Sequence, residues 1–382
     1  MALGALLALV VLEAALRFLP VSKGLHRSLD FARWPLQYTT AHFRYDYSIG
    51  WSMLNAHHGV TNNYGHVSPF DFKRRSHPIL VIGDSYIESL MNDYDETLQG
   101  QLGGLIGAPD TVYGLGVSGT SASGYVGLAR LARDEFEPAA AVILMVDGDL
   151  SESLLPAIGS HYLKQRSDGQ FELAYEQIHG VPLSTRIRSL VGDSSLHRYL
   201  QVNLQFAPEN ILNAVRPSAG SRPPPPDPPS QKQVGRQKQV VDWYLDTLPH
   251  SLALPPQCIA LLVDADRYGI YKPELASVPK DDPAARAYLI EEASRRGFRV
   301  TDLGPIFRSR YAKEREKFDH YPIDRHWNRR GHSIAAQEAF RLLSVGLEGG
   351  PAACIPPGRM PTARDAGPAP VHSRDDEAKS SR

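Results

Sequence analysis

The sequence predicts an α/β fold of three layers, a parallel sheet held between two layers of helices. Two observations carry that expectation. Short apolar runs at 79–82, 112–115, 140–146, 259–263 and 298–300 lack strict polar alternation, as strands covered on both faces do. Amphipathic stretches at 95–106, 121–136, 233–248, 282–296 and 330–345 fall between and after them. Such alternation favours parallel neighbours joined by helical crossovers.

Taken in order, the chain opens with ALGALLALVVL at 2–12, an apolar run that continues past Glu13 and Arg17 to Leu19-Pro20. The run is shorter than the roughly 20 residues of a membrane span and has the length of a signal-peptide core. No small-x-small cleavage site follows and no basic residue precedes it, so residues 1–20 read as an uncleaved N-terminal anchor. That places the chain at a membrane of the cell envelope, with the main domain extracytoplasmic. Arg17, Lys23, Arg27 and Arg33 all follow the run, which by itself favours the opposite orientation, so its direction stays open.

Residues 21–77 are polar and aromatic, with a turn signal at Asn62-Asn63-Tyr64-Gly65, and read as an irregular or short-stranded lead-in. The α/β domain occupies 78–346, interrupted by an insertion at about 151–257. Within the insertion, SAGSRPPPPDPPS at 218–230 can form neither a helix interior nor a central strand and reads as a polyproline spacer. Residues 347–382, rich in Gly, Pro, Ser and charge, read as a disordered tail.

Composition narrows the function. With 382 residues, 42% hydrophobic content, 22% charged content and a net charge of −1, the chain gives no electrostatic case for nucleic acid, and the short cationic stretch Lys73-Arg74-Arg75 reads as a solvated face. Cys258 and Cys354 cannot build a disulfide framework or a four-cysteine zinc site. Cys258 opens the run CIALLV and reads as a small buried hydrophobe; a bridge to Cys354 stays open, though nothing in the sequence requires it. His57-His58 and His326/His332 lack compact ligand spacing, and no phosphate loop or dinucleotide fingerprint occurs, so neither metal nor cofactor is expected. The oligomeric state is not readable.

Ligands of open parallel sheets bind beyond the carboxyl ends of the strands, where Ser85, Gly116, Gly148 and Asp264 all fall. In LVIGDSYIES (80–89) a buried strand ends at Gly83-Asp84 and delivers Ser85 to the head of a helical stretch. Backbone N–H groups there favour developing negative charge, which suits a nucleophilic serine, although Asp-Ser is also an ordinary helix cap. Gly116 follows the second strand and can present its N–H to an oxyanion, alongside that of Ser85. Asp324 and His326 lie two apart and can share a site only from an irregular loop, His326 taking the serine proton and Asp324 orienting the imidazole. Trp327 reads as packing and His332 as structural.

Gly83-Asp84-Ser85 after one strand, Gly116 after the next and Asp324-x-His326 before the last helix together resemble the SGNH/GDSL hydrolase superfamily, over 75–150 and 255–345. The apolar start also resembles its membrane-anchored members. The resemblance implies a flavodoxin-like sheet, Ser85 as nucleophile with Asp324 and His326, and an oxyanion hole from Ser85, Gly116 and an asparagine. The third block departs from this pattern. It reads Asp147-Gly148-Asp149-Leu150, with Gly148 where the asparagine belongs, which leaves the Gly148 N–H or another side chain as the substitute donor, or else a feeble or specialised activity. Losing such a donor costs about 10²–10³ in rate. The run Asp324–Asn328 also resembles SGNH-like acyltransferases that O-acetylate envelope polysaccharides. The expectation is therefore a serine-dependent esterase or deacetylase acting on a small-molecule or glycan ester. The alternatives are an O-acetyltransferase and a non-catalytic carbohydrate-binding protein.

Overall fold

A computed structural model of the chain describes residues 2–25, 41–156, 160–175, 194–204, 231–344 and Cys354. The proline tract at 218–230 and the tail apart from Cys354 lie outside the described residues. The chain enters through helix α1 (Ala2–Leu16) and an antiparallel hairpin, β1 (Arg44–Ile49) and β2 (Leu54–Val60). The alternating region follows: β3 (Ile79–Gly83), α2 (Ser85–Glu88), α3 (Leu98–Ile106), β4 (Val112–Gly116), α4 (Ala122–Phe136), β5 (Ala140–Met145) and α5 (Asp149–Glu152). A second hairpin, β6 (His161–Gln165) with β7 (Phe171–Tyr175), then α6 (Ser195–Arg198) and α7 (Gln231–Leu252), belong to the insertion. The chain returns to the sheet with β8 (Ile259–Val263), α8 (Arg267–Tyr271), α9 (Pro283–Arg295), β9 (Arg299–Asp302), α10 (Leu303–Glu314) and α11 (Arg329–Ser344).

The main sheet is fully parallel, in the order β4-β3-β5-β8-β9. This is the flavodoxin-like order 2-1-3-4-5, whose direction reverses between β3 and β5. Every residue of β3, β4, β5 and β8 is buried, which is why these strands read as unbroken apolar runs. One face packs Leu80, Ile82, Ala141 and Ile143 under α4, α7 and α9, with Tyr125, Phe136, Tyr244 and Leu289. The other packs Val81, Val142, Leu144 and Leu262 under α3, α10 and α11, with Leu102, Phe307, Trp327 and Ala335. The result is three layers, α/β/α.

One expectation changes here. Cys258 is not a free hydrophobe: it forms a disulfide with Cys354, 96 positions later. Cys354 thus meets the residue immediately before β8, a proximity that sequence spacing does not encode. Within the insertion, the amphipathic stretch at 233–248 lies in α7, which packs against α4 and α9 and supplies Val240, Tyr244 and Leu248 to the core.

The N-terminal helix α1 exposes Leu6, Leu7, Leu9, Val10 and Val11. Among the described residues no helix is long and apolar enough to cross a membrane. Near the end of α1, Glu13 caps α6, accepting hydrogen bonds from Ser194 Oγ (2.8 Å) and the N–H groups of Ser195 (3.1 Å) and Leu196 (2.9 Å). These bonds, the Leu196 N–H foremost, draw its pKa down to about 2.

Candidate active site

Ser85 begins α2 directly after β3. Gly83 closes the strand where a side chain would collide with Ile87, and the carboxylate of Asp84 caps the next turn by accepting the Tyr86 N–H at 3.0 Å. The helix lasts a single turn, because Ser89 turns left-handed with φ 50°. Gln99 of α3 then holds the Ile87 carbonyl at 2.9 Å. A one-turn helix carries only a small macrodipole.

The structure brings Ser85, His326 and Asp324 into one hydrogen-bonded chain. His326 Nε2 lies 2.8 Å from Ser85 Oγ across 241 positions, and His326 Nδ1 lies 2.6 Å from Asp324 Oδ1. Asp324 Oδ1 also accepts the His326 N–H at 2.9 Å, and Oδ2 accepts the Tyr47 hydroxyl at 2.7 Å. With Nδ1–H directed at the carboxylate, Nε2 is left as the acceptor for the serine proton. Burial pushes the Asp324 carboxyl up, but the bonds from His326 and Tyr47 outweigh it and hold it well below its ordinary value. Burial likewise lowers His326, yet the Asp324 bond and the Asp324 and Asp84 charges leave its pKa raised. Burial pushes Asp84 up to about 6, against the pull of the Tyr86 N–H.

The loop carrying Asp324 and His326 is pinned mainly through its backbone. Arg267, buried at the start of α8, grips both oxygens of Asp264 at 2.6 Å and sends Nη2 to the Arg325 carbonyl (2.7 Å) and the Tyr86 hydroxyl (2.9 Å). Tyr86 donates to the same carbonyl at 3.0 Å. Behind the loop, Trp327 is fully buried and donates Nε1–H to Asp264 Oδ1 at 3.2 Å, while Asn92 donates to the Trp327 carbonyl at 2.9 Å. Asn328 closes the turn by donating to the Lys317 (3.1 Å) and Asp319 (2.9 Å) carbonyls. The sequence marked Asp264 at the sheet edge and Trp327 as packing. It gave no signal for Arg267, Asn92 or Tyr47, because each meets the loop only through the fold.

His332 packs beside Trp327 and pairs with a second serine. Its Nδ1 accepts the Leu98 N–H at 3.1 Å, so Nε2 carries the proton and donates to Ser89 Oγ at 3.0 Å. A nitrogen that is donating cannot accept a serine proton, so this pair is structural. Complete burial lowers the His332 pKa to about 3 and keeps the ring neutral.

The two glycines expected at the oxyanion hole are placed differently from that expectation. Gly116 pairs with Gly83, whose carbonyl accepts the Val117 N–H at 3.2 Å. Backbone groups alternate along a strand, so Gly116 turns its own N–H and C=O away from β3, and the His66 ring bonds to its backbone. A side chain at 116 would overlap the backbone of Ile87 and Glu88, so the glycine allows α2 to seat on β4. Gly148 follows β5 with φ +106°, and its N–H donates to Asp281 Oδ2 at 3.0 Å. Asp281 also gathers the N–H groups of Leu150 (3.1 Å) and Ser151 (2.8 Å), so the Gly148 donor is already used. Of the three expected groups, the Ser85 N–H alone remains directed by a helix start.

A cleft of about 530 Å³ opens beside His326 along the carboxyl ends of β5 and β8, with Asp84, Asp147, Arg267, Tyr268, Lys280 and Arg325 among its walls. Most of its charges are matched within the protein. Asp264 holds Arg267, Asp281 holds backbone N–H groups and Lys280 holds Glu152 at 2.7 Å. The arrangement can deliver a serine hydroxyl, deprotonated by an oriented imidazole, to a carbonyl bound in a partly polar cleft.

Comparison with protein-family models gives no match, and neither does comparison with curated proteins. Among solved structures, the chain is similar to the crystal structure of a member of the lipolytic protein G-D-S-L family from Veillonella parvula DSM 2008. The identity is 12%, the match covers 69% of this chain and 96% of that one, and the TM-score is 0.31. Another solved chain aligns at 14% identity over 71% of this chain and 97% of its own, with a TM-score of 0.34.

Proposed function

We propose that this protein is a serine-dependent ester hydrolase of the carboxylesterase or deacetylase type. The observation that carries the reading is the chain from Ser85 Oγ through His326 to Asp324, with links of 2.8 and 2.6 Å. Ser85 Oγ attacks the ester carbonyl carbon while His326 Nε2 takes its proton. The tetrahedral adduct collapses by breaking the bond to the alcohol oxygen, which leaves with that proton. Water then gives a proton to His326 and attacks the acyl-serine, and the acid departs as Ser85 recovers its hydrogen. With the Gly148 N–H held by Asp281, turnover slower by about 10²–10³ than with a complete oxyanion hole is expected.

The cleft supports a small-molecule ester or an acylated sugar as substrate. The exposed apolar side chains of α1 support attachment to a membrane, and the Cys258–Cys354 disulfide supports an oxidising, extracytoplasmic compartment. The test uses the full-length protein in detergent with a chromogenic acetyl ester and a fluorophosphonate label. Wild type turns over and is labelled, and Ser85→Ala does neither. Equal turnover by the two proteins would eliminate the serine mechanism, and acetyl transfer to an added glycan in preference to water would replace hydrolase by O-acetyltransferase.

A further inference from the structure

Tyr47 lies on β1, in the stretch that the sequence presents only as a lead-in, 277 positions before the residue it touches. Its hydroxyl donates to Asp324 Oδ2 at 2.7 Å, while Oδ1 serves the His326 Nδ1 and backbone N–H groups. The carboxylate is therefore divided, one oxygen for the imidazole and one for the phenol. An acid held on one edge alone could rotate and carry the imidazole out of line with Ser85. A donor on the far oxygen fixes the carboxylate plane and with it the direction of Nε2.

The strand that carries Tyr47 is itself fixed. The N–H of Lys23 bonds to the Asp46 carbonyl at 2.8 Å, and Ser48 Oγ donates to the Pro20 carbonyl at 2.5 Å. Asn203 donates to Ser48 Oγ at 2.8 Å and accepts the Ser22 N–H at 3.2 Å. The neighbouring Tyr45 is buried under Gly59, where a side chain would overlap its ring. Burial, then the nearby Asp324 charge, pushes the Tyr47 phenol far above its ordinary range, so it stays a donor at any working pH.

We infer that Tyr47 is a positioning residue of the Ser85–His326–Asp324 chain, which makes the β1–β2 hairpin part of the catalytic unit. The inference rests on the reading of Ser85 as nucleophile. Its test compares full-length wild type, Ser85→Ala and Tyr47→Phe by ester kinetics, fluorophosphonate labelling and melting curves. Tyr47→Phe removes one oxygen and keeps the ring. The expected result is a kcat lower by about tenfold, the worth of one hydrogen bond to a charged group, with KM unchanged. The acid limb of kcat/KM should also move to higher pH, because Asp324 without its donor holds the imidazolium more tightly. The other charges facing His326, namely Asp84, Arg267, His320 and His332, are the same in both proteins. Unchanged kcat and pH limb in Tyr47→Phe would overturn the inference, as would a loss of rate that follows melting temperature with the pH limb unmoved. A wild type that neither turns over nor labels would overturn the serine reading itself, and this role with it.

Discussion

The backbone N–H of Gly148 donates to Asp281 Oδ2 at 3.0 Å, across 133 positions of the chain. The residue that stands where the resemblance leads one to expect an asparagine thus anchors the turn after β5 to the segment before α9. Gly148→Asn is expected to give no gain in ester turnover. At φ +106° an L side chain is strained, and its Cβ would lie 2.9 Å from Lys280 Cδ and 3.0 Å from Glu152 Oε1. A lower melting temperature, equivalent to about 1–3 kcal/mol, should accompany the unchanged or reduced rate. A rise in kcat would show that the turn relaxes and admits a new oxyanion donor.

Gly116→Ala tests whether this glycine serves space or charge. Its Cβ would meet the α2 backbone at Ile87 and Glu88, neither of which is the far end of a flexible side chain. Both stability and Ser85 labelling should fall, by a factor of ten or more for labelling on the order-of-magnitude scale of a misplaced nucleophile. A well-folded Gly116→Ala protein with normal labelling would contradict the close approach of α2 to β4.

Arg267 joins Asp264, Tyr86 and the Arg325 carbonyl through one planar fork, and Nε lies 3.4 Å from Asp319. Lysine supplies a point charge and cannot span that geometry. Arg267→Ala should destabilise the protein by about 3–5 kcal/mol, the usual result of stranding a buried carboxylate. Arg267→Lys should fold better yet lose kcat, because the Arg325 carbonyl loses its clamp. Urea unfolding and ester kinetics on both variants check this, and a lysine variant with full kcat would refute the clamp.

The pH behaviour follows from opposite shifts in one pair. His326 is raised above its ordinary 6.5, so kcat/KM should fall on the acid side with an apparent pKa above that value. For stability the signs differ. The raised His326 contributes fully below 6.5 and loses its contribution as pH rises through its folded pKa. The depressed Asp324 contributes above 3.8 and loses its contribution as pH falls through its folded pKa. The pair therefore stabilises most between 3.8 and 6.5, where the imidazole is charged and turnover is low. Melting wild type against His326→Gln should show a larger gap at about pH 5.5 than at about pH 9. A gap independent of pH would remove the ion pair from the stability of the fold.

Much of the architecture was legible in local pattern. Strands covered on both faces must be apolar throughout, so β3, β4, β5 and β8 could be read directly, and the helices between them follow from amphipathic spacing. Ser85 was legible because a buried strand ending in Gly-Asp leaves its hydroxyl at a sheet edge. Asp324 and His326 were legible because two residues so close in sequence can share a site only from a loop. Those are statements about neighbours along the chain, which sequence determines by itself.

The tertiary structure decided what depends on distance. Tyr47 behind Asp324, Arg267 under Arg325, Asp281 at Gly148 and Cys354 at Cys258 join segments separated by 58 to 277 positions. A hydrogen bond or disulfide needs only that two groups arrive together, and neither leaves a local periodicity in the sequence. Direction was decided there too. Gly116, expected just past the strand, is its last residue, the parity of the parallel ladder turns its N–H away from β3, and a one-residue difference would have reversed it.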